Sequence, residues 1–333
     1  MMSSYPTHQK LALHNFTAFR EARLEFVTGI NTFVGENGTG KTHLLKALYA
    51  FQLAAARDED IRQILKDLFQ TKQVDSLVRQ GTEANTVAQV SGLYGNGEWA
   101  YAIHPGDAVA MDIHVPPPPR PVFIPAIDMM GHTRGFLEAY EEVRLDFDRT
   151  CRDIVSLMGL ERRNGHSPFP LQETLTQILG GDIESDPEGR YYLVTEQGRL
   201  PMPLVAEGLR KIATLLQLQR NGWLAPGAAL FWDEPEVNLN PVLMDEVIGA
   251  LLALARSGVQ VFIATHSYVI LREIEVQSGK SDTFCYFALF RTEEGVAVHP
   301  AKHYLDIDPN PIERQYADLY DRGIAKRLGG APD

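Results

Sequence analysis

The chain has 333 residues, of which 44% are hydrophobic and 22% are charged, a composition typical of a globular protein with a large core. Its net charge of −12 disfavours a protein that coats nucleic acid non-specifically. The two cysteines, Cys151 and Cys285, lie far apart in the sequence, which excludes a disulfide framework and favours buried thiols in a reducing compartment.

The N-terminal third is predicted to contain strands around one helical stretch. Alternating apolar and polar residues predict two antiparallel strands over Lys10–Phe26, and an apolar, β-branched run predicts a strand over Ile30–Val34. Helical spacing begins at His43–Leu53 and continues over Phe51–Arg79. Further strands follow, with a hairpin turn at residues 95–97, and they cover Thr86–His104, Val109–Val115 and Val122–Pro125.

The middle of the chain is predicted to form a helical lobe. Residues Asp128–Leu179 have a mostly helical pattern, with a Gly- and Pro-rich interruption at Asn164–Pro170. A hairpin is predicted over Tyr191–Thr195 and the residues around Leu200.

From Leu204 onward the pattern alternates between helix and strand, which indicates a largely parallel sheet flanked by helices. The predicted elements are helices at Glu207–Arg220, Pro241–Arg256, Tyr268–Val276 and an amphipathic closing helix at Ile312–Lys326, and strands at Ala228–Trp232, Val259–Ala264, Phe284–Phe290 and Val296–Val298. The strand at Ile30–Val34 must join this sheet, so the helical lobe is an insertion. We therefore predict an α/β fold with a mainly parallel central sheet, an N-terminal antiparallel β subdomain and an inserted helical lobe, divided as residues 1–125, 126–203 and 204–333.

A glycine-rich stretch lies between the strand predicted at Ile30–Val34 and the helix predicted at His43–Leu53. It has the pattern G-x-x-x-x-G-K-[ST], in which glycines let the backbone wrap a polyphosphate and the following helix start favours an anion. The lysine would reach the β and γ phosphates, as both a binding and a catalytic group, and the threonine hydroxyl would hold Mg²⁺. The predicted binding residues are Gly35, Glu36, Asn37, Gly38, Thr39, Gly40, Lys41 and Thr42.

Two carboxylates follow the apolar strand predicted at Ala228–Trp232. Asp233 would hold the metal, directly or through water, and Glu234 would orient and polarise an attacking water as general base. His266 follows the next predicted strand and would lie at the same sheet edge, where open α/β sheets bind their ligands. There its side chain would hydrogen-bond the γ-phosphate and the water.

The order of these motifs resembles that of ABC-type ATPase heads, which have a P-loop NTPase fold. Among them the chain is similar to the RecF/SMC-related and OLD-like AAA ATPases rather than to transporter subunits. The resemblance covers roughly residues 8–55 and 200–290. The motifs that carry it are the phosphate loop with its Glu-Asn-Gly, the opening Asn15-Phe16 strand pair, Ala206-Glu207-Gly208, the run from Asp233-Glu234-Pro235 to Asn238-Leu239-Asn240-Pro241, and His266.

The resemblance implies that two heads close face to face over two ATP molecules with Mg²⁺. The signature turn of one head, Ala206-Glu207-Gly208, would meet the γ-phosphate on the other head through the N–H groups of a helix start. Arg210 or Lys211 would add positive charge in trans, and Asn238 and Asn240 would form the loop that links the two sites.

Two positions depart from the family pattern. Ala206 stands where many members have serine, which removes a hydroxyl contact to the γ-phosphate and predicts slow turnover. No glutamine follows the strand at Val122–Pro125, where the family has its lobe-linking Gln loop, and Asp128 is the nearest polar residue to reach Mg²⁺ or the water. A helix N-cap is the equally open alternative for Asp128. Phe16 or Phe19 would stack on adenine, with packing in the core as the alternative for each.

The function implied by the resemblance is a Mg²⁺-dependent, ATP-hydrolysing switch that forms a homodimer on ATP and regulates a separately encoded effector, in phage defence or DNA maintenance. A RecF-like, ATP-gated nucleic-acid clamp is the first alternative, with candidate DNA contacts at Arg144, Arg149, Arg152, Arg162 and Arg163. A transporter ATPase subunit is the second, and the absent Gln and the unusual signature disfavour it.

The sequence also predicts where the protein works. The N-terminus lacks the apolar core of a signal peptide, and the longest apolar run, Val247–Ala255, is too short to span a bilayer. We therefore expect a cytoplasmic protein with no membrane partner.

Overall fold

The computed structural model describes residues 5–143, 145–160 and 171–327. Within these ranges the strands are β1 (His8–Phe16), β2 (Phe19–Glu25), β3 (Ile30–Gly35), β4 (Ala88–Tyr94), β5 (Gly97–His104), β6 (Ala108–Ile113), β7 (Val122–Ile124), β8 (Asp182–Ser185), β9 (Tyr191–Thr195), β10 (Gly198–Pro201), β11 (Ala229–Asp233), β12 (Gln260–Thr265), β13 (Phe284–Thr292) and β14 (Gly295–Ala301). The α-helices are α1 (Lys41–Arg57), α2 (Ile61–Phe69), α3 (Phe136–Val143), α4 (Arg149–Gly159), α5 (Gln172–Leu179), α6 (Glu207–Arg220), α7 (Pro241–Arg256), α8 (Tyr268–Gln277) and α9 (Pro311–Arg327).

The central sheet has the strand order β14-β13-β3-β12-β11-β7. Every neighbouring pair from β13 to β7 is parallel, and β14 pairs antiparallel at one edge. The register sets Asp233 of β11 opposite Ala264 of β12, and Thr265 of β12 opposite Val34 of β3. Because the carboxyl ends of these parallel strands meet at one edge, the loops that follow β3, β11 and β12 converge there.

A second sheet, with the order β2-β1-β4-β5-β6, is antiparallel and lies over one face of the central sheet. The layer between them contains α1 and an apolar core to which the central strands contribute Phe231 and Phe262. Residues that alternate with these along the strands, such as Leu230 and Trp232, point to the opposite face and pack against α6, α7 and α8. The period-2 alternation of strand side chains thus builds two cores, one on each face of the parallel sheet.

The helical lobe is inserted between β7 and α6 and contains α3, α4, α5 and the small antiparallel sheet β10-β9-β8. Two side chains of α1, which is the helix that follows the phosphate loop, contact this lobe. Lys46 Nζ lies 2.7 Å from Asp148 Oδ2, and the Tyr49 hydroxyl donates to Asp153 Oδ2 at 2.7 Å. These two contacts tie the N-terminal part of α4 to the helix that begins at the phosphate loop.

The predicted fold class is confirmed, with three local differences. The helical pattern over Phe51–Arg79 divides into α1 and α2, because Asp58 ends α1 in a left-handed conformation (φ 54°) and Asp60 caps α2. Strand β8 was not predicted, and it pairs with β9. Helix α9 forms where expected, but none of its residues is fully buried, and Ile312 in its first turn packs against the core as a partly buried side chain.

The predicted boundaries at 125/126 and 203/204 stay predictions, and the predicted interruption at Asn164–Pro170 lies in positions 161–170, outside the described residues. Over residues 5–143, 145–160 and 171–327, no helix combines the length and the apolar character that crossing a membrane requires.

Candidate active site

The phosphate loop connects β3 to α1 at the edge of the central sheet where the parallel strands end. At two of its positions a side chain would collide with neighbouring atoms. A Cβ on Gly35 would lie 2.3 Å from the carbonyl oxygen of Leu289, and a Cβ on Gly40 would lie 2.8 Å from the Phe19 ring, with Gly40 at φ 88°. Thr39 closes the loop by donating its hydroxyl to the Glu36 carbonyl at 2.8 Å. The loop is therefore preformed by its own packing and hydrogen bonds.

Lys41 is the first residue of α1, and its side chain lies back over the loop. Its Nζ donates to the carbonyl oxygens of Gly35 at 2.8 Å and Glu36 at 3.0 Å. Burial lowers the pKa of Lys41, and the nearby carboxylates of Glu234 and Asp233 oppose that shift. The ammonium is thus held inside the loop, close to the acidic residues that follow β11.

Thr42 and Asp233 form the central contact of the site. The Thr42 hydroxyl lies 3.0 Å from Oδ1 and 2.9 Å from Oδ2 of Asp233, although the two residues are 191 positions apart. Burial raises the pKa of Asp233 to about 6, while the Thr42 hydrogen bond lowers it and the Glu234 carboxylate raises it further. The two predicted metal ligands therefore lie within hydrogen-bond distance of each other, and their role at Mg²⁺ stays a prediction.

Glu234 follows Asp233 in a left-handed backbone conformation, with φ 47°. Its N–H donates to the Ala264 carbonyl at 2.9 Å, which ties the turn to the end of β12. Its carboxylate Oε1 lies 3.6 Å from His266 Nδ1. The histidine side chain is 45% exposed, so it faces the open side of the site. The structure thus brings Glu234 and His266 together as predicted from the strand order.

Glu236 belongs to this cluster and was missed as a site residue, although it stands in the motif that carries the resemblance. Its Oε1 accepts a hydrogen bond from the Thr265 hydroxyl at 2.7 Å and from the His266 N–H at 2.9 Å. Its Oε2 is buried without a partner among the described residues. Glu236 therefore fastens the end of β12 to the turn that carries Glu234.

Arg291, at the end of β13, was also missed. Its Nη2 lies 3.4 Å from the Asn37 carbonyl and 3.5 Å from the Gly38 carbonyl on the outer side of the phosphate loop. The sequence offers no signal for this contact, because it depends on β13 pairing with β3.

The signature turn lies at the start of α6. Ala206 is the N-cap and is exposed, and among the described residues no side-chain hydrogen bond caps this helix start. Gly208 packs on the loop after β11, where a Cβ would lie 3.0 Å from Leu239. Asn240 ends that loop by capping α7 through a hydrogen bond from the Val242 N–H at 3.0 Å. The signature and the loop after β11 are therefore in contact within one chain.

Three predicted roles fit this structure poorly. Lys211 was expected to act on a partner head, but it is 2% exposed and donates to carbonyl oxygens of its own chain. Arg210 is paired with Asp128, with its Nε 2.6 Å from Oδ2. Asp128 also accepts from the N–H groups of Met130 and Gly131 at 3.3 Å, an arrangement that favours its capping alternative. Its role at Mg²⁺ stays a prediction without a supporting contact.

The structure also shows where the residues proposed to stack on adenine or to contact DNA lie. Phe16 and Phe19 are fully buried, which confirms the core alternative over adenine stacking. Arg149 pairs with Glu59, Asp67 and Asp153, and Arg152 pairs with Glu141 and Asp153. The candidate contacts Arg144, Arg162 and Arg163 lie outside the described residues.

The fold and the phosphate loop are similar to those of P-loop ATPase heads. Two family models match the chain, one described as an AAA domain over residues 10–97 and one as an AAA domain, putative AbiEii toxin, type IV TA system, over residues 143–272. Short segments are similar to the DNA replication and repair protein RecF, at 47% identity over 45 residues in Cytophaga hutchinsonii and 33% over 70 residues in Streptococcus suis. These segments cover 14% and 20% of this chain and only 12% and 18% of the RecF chains.

Solved SMC heads share the fold. A Smc head bound to the C-winged helix domain of ScpA has a TM-score of 0.60 at 13% identity, covering 90% of this chain and 99% of that one. A Pyrococcus furiosus Smc head bound to the C-terminal domain of ScpA has a TM-score of 0.60 at 12% identity, covering 95% and 99%. Together with the AAA and RecF matches, these likenesses support a RecF/SMC-related ABC-type ATPase, the class that the motifs predict.

Proposed function

We propose that this chain is a Mg²⁺-dependent switch that binds and hydrolyses ATP. The observation that carries the proposal is the contact between the Thr42 hydroxyl and both carboxylate oxygens of Asp233. Magnesium in nucleotide sites is held by one or two protein groups together with substrate phosphates, and in P-loop proteins these groups are the loop Ser/Thr and an acidic residue at a strand end. Thr42 and Asp233 fit that set.

Each of the remaining groups would have its own role in phosphoryl transfer. Gly35–Thr42 would cradle the phosphates with backbone N–H groups, and Lys41 already places its ammonium inside this loop. Bound Mg²⁺ would neutralise charge on the phosphate oxygens. Glu234 would accept a proton from the attacking water as general base, with His266 beside it to orient that water and the γ-phosphate. Catalysis would then rest on positioning and electrostatics, without a covalent intermediate.

The proposal includes ATP-dependent pairing of two heads and regulation of a separate effector. The start of α6 supports the pairing, because Ala206 is exposed and no side-chain cap is present at this helix start within the part of the chain that the structure describes. An uncapped helix start favours an anion, such as a phosphate held by a second copy. A Smc head bound to a domain of ScpA is a precedent for a partner protein, and the family description that names a putative AbiEii toxin and a type IV TA system supports a toxin system as the setting. A role in phage defence or DNA maintenance is part of the proposal.

The test uses three forms of the purified protein. Wild type should bind ATP and hydrolyse it only with Mg²⁺. Glu234→Gln should bind ATP, hydrolyse it slowly and run as a dimer in size-exclusion chromatography only when ATP is present. Lys41→Ala should neither bind ATP nor dimerise. Wild-type protein that binds no nucleotide would refute the proposal.

A RecF-like nucleic-acid clamp is the second candidate, because the short segments similar to this chain come from a DNA replication and repair protein. The described arginines proposed to contact DNA are already paired with carboxylates. We therefore expect no ATP-dependent DNA binding by the Glu234→Gln protein. Binding that requires ATP and weakens steeply with salt would favour the clamp instead.

A further inference from the structure

Lys211 is a buried lysine on α6, one helical turn after Glu207. Its Nζ donates to three backbone carbonyl oxygens of the turn that follows β11: Val237 at 2.5 Å, Pro235 at 3.3 Å and Glu234 at 3.4 Å. An ammonium has three donors, and here each has a carbonyl partner. The side chain therefore bridges the signature helix and the turn that begins with the candidate general base.

The turn that Lys211 holds has an unusual backbone. Glu234 and Asn238 both lie in the left-handed region, at φ 47° and 57°, although neither is glycine. Such conformations cost free energy and persist only where the surroundings hold them in place. Within the turn, the Val237 N–H donates to the Glu234 carbonyl at 3.1 Å and the Leu239 N–H donates to the Glu236 carbonyl at 3.0 Å. The Lys211 ammonium donates hydrogen bonds to carbonyl oxygens that this backbone conformation places close together.

The electrostatic surroundings agree with this position. Burial lowers the pKa of Lys211, and the carboxylates of Glu207, Glu236, Asp128 and Glu234 oppose the shift. A buried ammonium is costly unless it is hydrogen-bonded and paired, so its contacts with the turn offset its desolvation.

We propose that Lys211 is a positioning residue for Glu234, and that it couples the signature start of α6 to the general base of the same head. The proposal rests on the ATPase function proposed above and adds to it a route between the two nucleotide sites. A contact made by Ala206-Glu207-Gly208 with a second head moves α6, and Lys211 transmits that movement to the Glu234 turn.

The first experiment uses nucleotide-free protein and so does not depend on activity. Lys211→Met keeps the apolar stem and removes the donors. Gln219→Met is the matched control, because Gln219 is also buried on α6 and its Oε1 has no hydrogen-bond partner among the described residues. In hydrogen exchange, Lys211→Met should speed exchange at the Val237 and Leu239 amides while Gln219→Met leaves them unchanged. Equal exchange in the two variants would overturn the proposal.

The second experiment separates binding from chemistry. Lys211→Met should retain ATP affinity, while kcat falls by roughly tenfold to a hundredfold, the range expected when a catalytic group is displaced. Lys211→Arg, which keeps the charge and its donors, should retain most of kcat. If Lys211→Met does not fold, Lys211→Gln, which keeps an N–H donor, replaces it in both experiments.

The outcomes are distinguishable from those of the proposed function. Wild-type protein that neither binds nor hydrolyses ATP refutes the ATPase itself. Wild-type activity together with an unchanged kcat in Lys211→Met, or an equal loss of kcat and ATP affinity, refutes only the positioning role.

Discussion

Replacing Glu236 with alanine should reveal how the site is held together. Glu236 lies in the turn after β11, and its Oε1 accepts hydrogen bonds from the Thr265 hydroxyl and the His266 N–H at the end of β12. Thr265 is fully buried and the carboxylate is itself buried, so water does not readily replace the lost acceptor. The alanine variant leaves two donors unpaired next to the candidate catalytic residues.

The size of the effect follows from those two bonds. Each buried donor left without a partner costs about 1–3 kcal/mol, so the two donors should lower the free energy of unfolding of Glu236→Ala by about 2–6 kcal/mol. Glu236→Gln is the matched control, because its amide oxygen still accepts both bonds and its amide NH₂ takes the position of Oε2, for which the described residues offer no partner. That variant loses the charge and buries an amide NH₂ in place of Oε2, so it should cost about 1–3 kcal/mol, less than the alanine variant.

Urea unfolding followed by circular dichroism measures both variants against wild type, with equal m values as the check that the same surface is exposed. The alanine variant should also lose kcat, because the His266 backbone is no longer anchored beside Glu234. If the alanine and glutamine variants have the same free energy of unfolding, the carboxylate does not hold these donors and the reasoning fails.

Two further predictions concern the loop and the core. Gly40→Ala combines a left-handed backbone with a Cβ 2.8 Å from the Phe19 ring, whereas Gly81→Ala has a similar φ of 79° in open space. Gly40→Ala should therefore cost roughly 1–3 kcal/mol more than Gly81→Ala in urea unfolding, and equal costs would contradict the packing argument. Burial lowers the pKa of His8 from 6.5 to about 4, against the raising effect of its hydrogen bond to Gln52. Because the unfolded chain takes up a proton on His8 in this window and the folded chain does not, stability should fall as pH falls from 6.5 to 4, by about 3 kcal/mol from this residue. His8→Gln should remove that share of the pH dependence, and an unchanged pH profile would contradict the assignment.

Most of the fold could be predicted because its elements have strong local signals. The helices at Glu207–Arg220 and Pro241–Arg256 have helical periodicity, and proline and asparagine mark the start of the second, so their limits agree with the structure. The break between α1 and α2 was missed because a left-handed residue such as Asp58 leaves little trace in hydrophobic periodicity. The strand β8 was missed because it has four residues, only one of them buried.

The sequence alone determined the chemistry that is available. A phosphate loop, an Asp-Glu pair after an apolar strand and a histidine after the next strand are local patterns, and their order along the chain predicts that parallel strands bring them to one sheet edge. The contact of Thr42 with Asp233 and the approach of His266 to Glu234 follow from that order.

Only the tertiary structure decided which side chains face the site and which hold it together. Glu236 and Lys211 are both charged residues within motifs, and no periodicity separates them from Glu234 and Arg210. Their roles depend on their burial and on the backbone conformation of the turn after β11 and of the start of α6. Strand register and the packing of α6 on the loop after β11 determine both. Such contacts join residues distant in sequence, so local patterns carry no information about them. A charged side chain that the sequence would place at the surface is instead buried here, where it makes hydrogen bonds within the core.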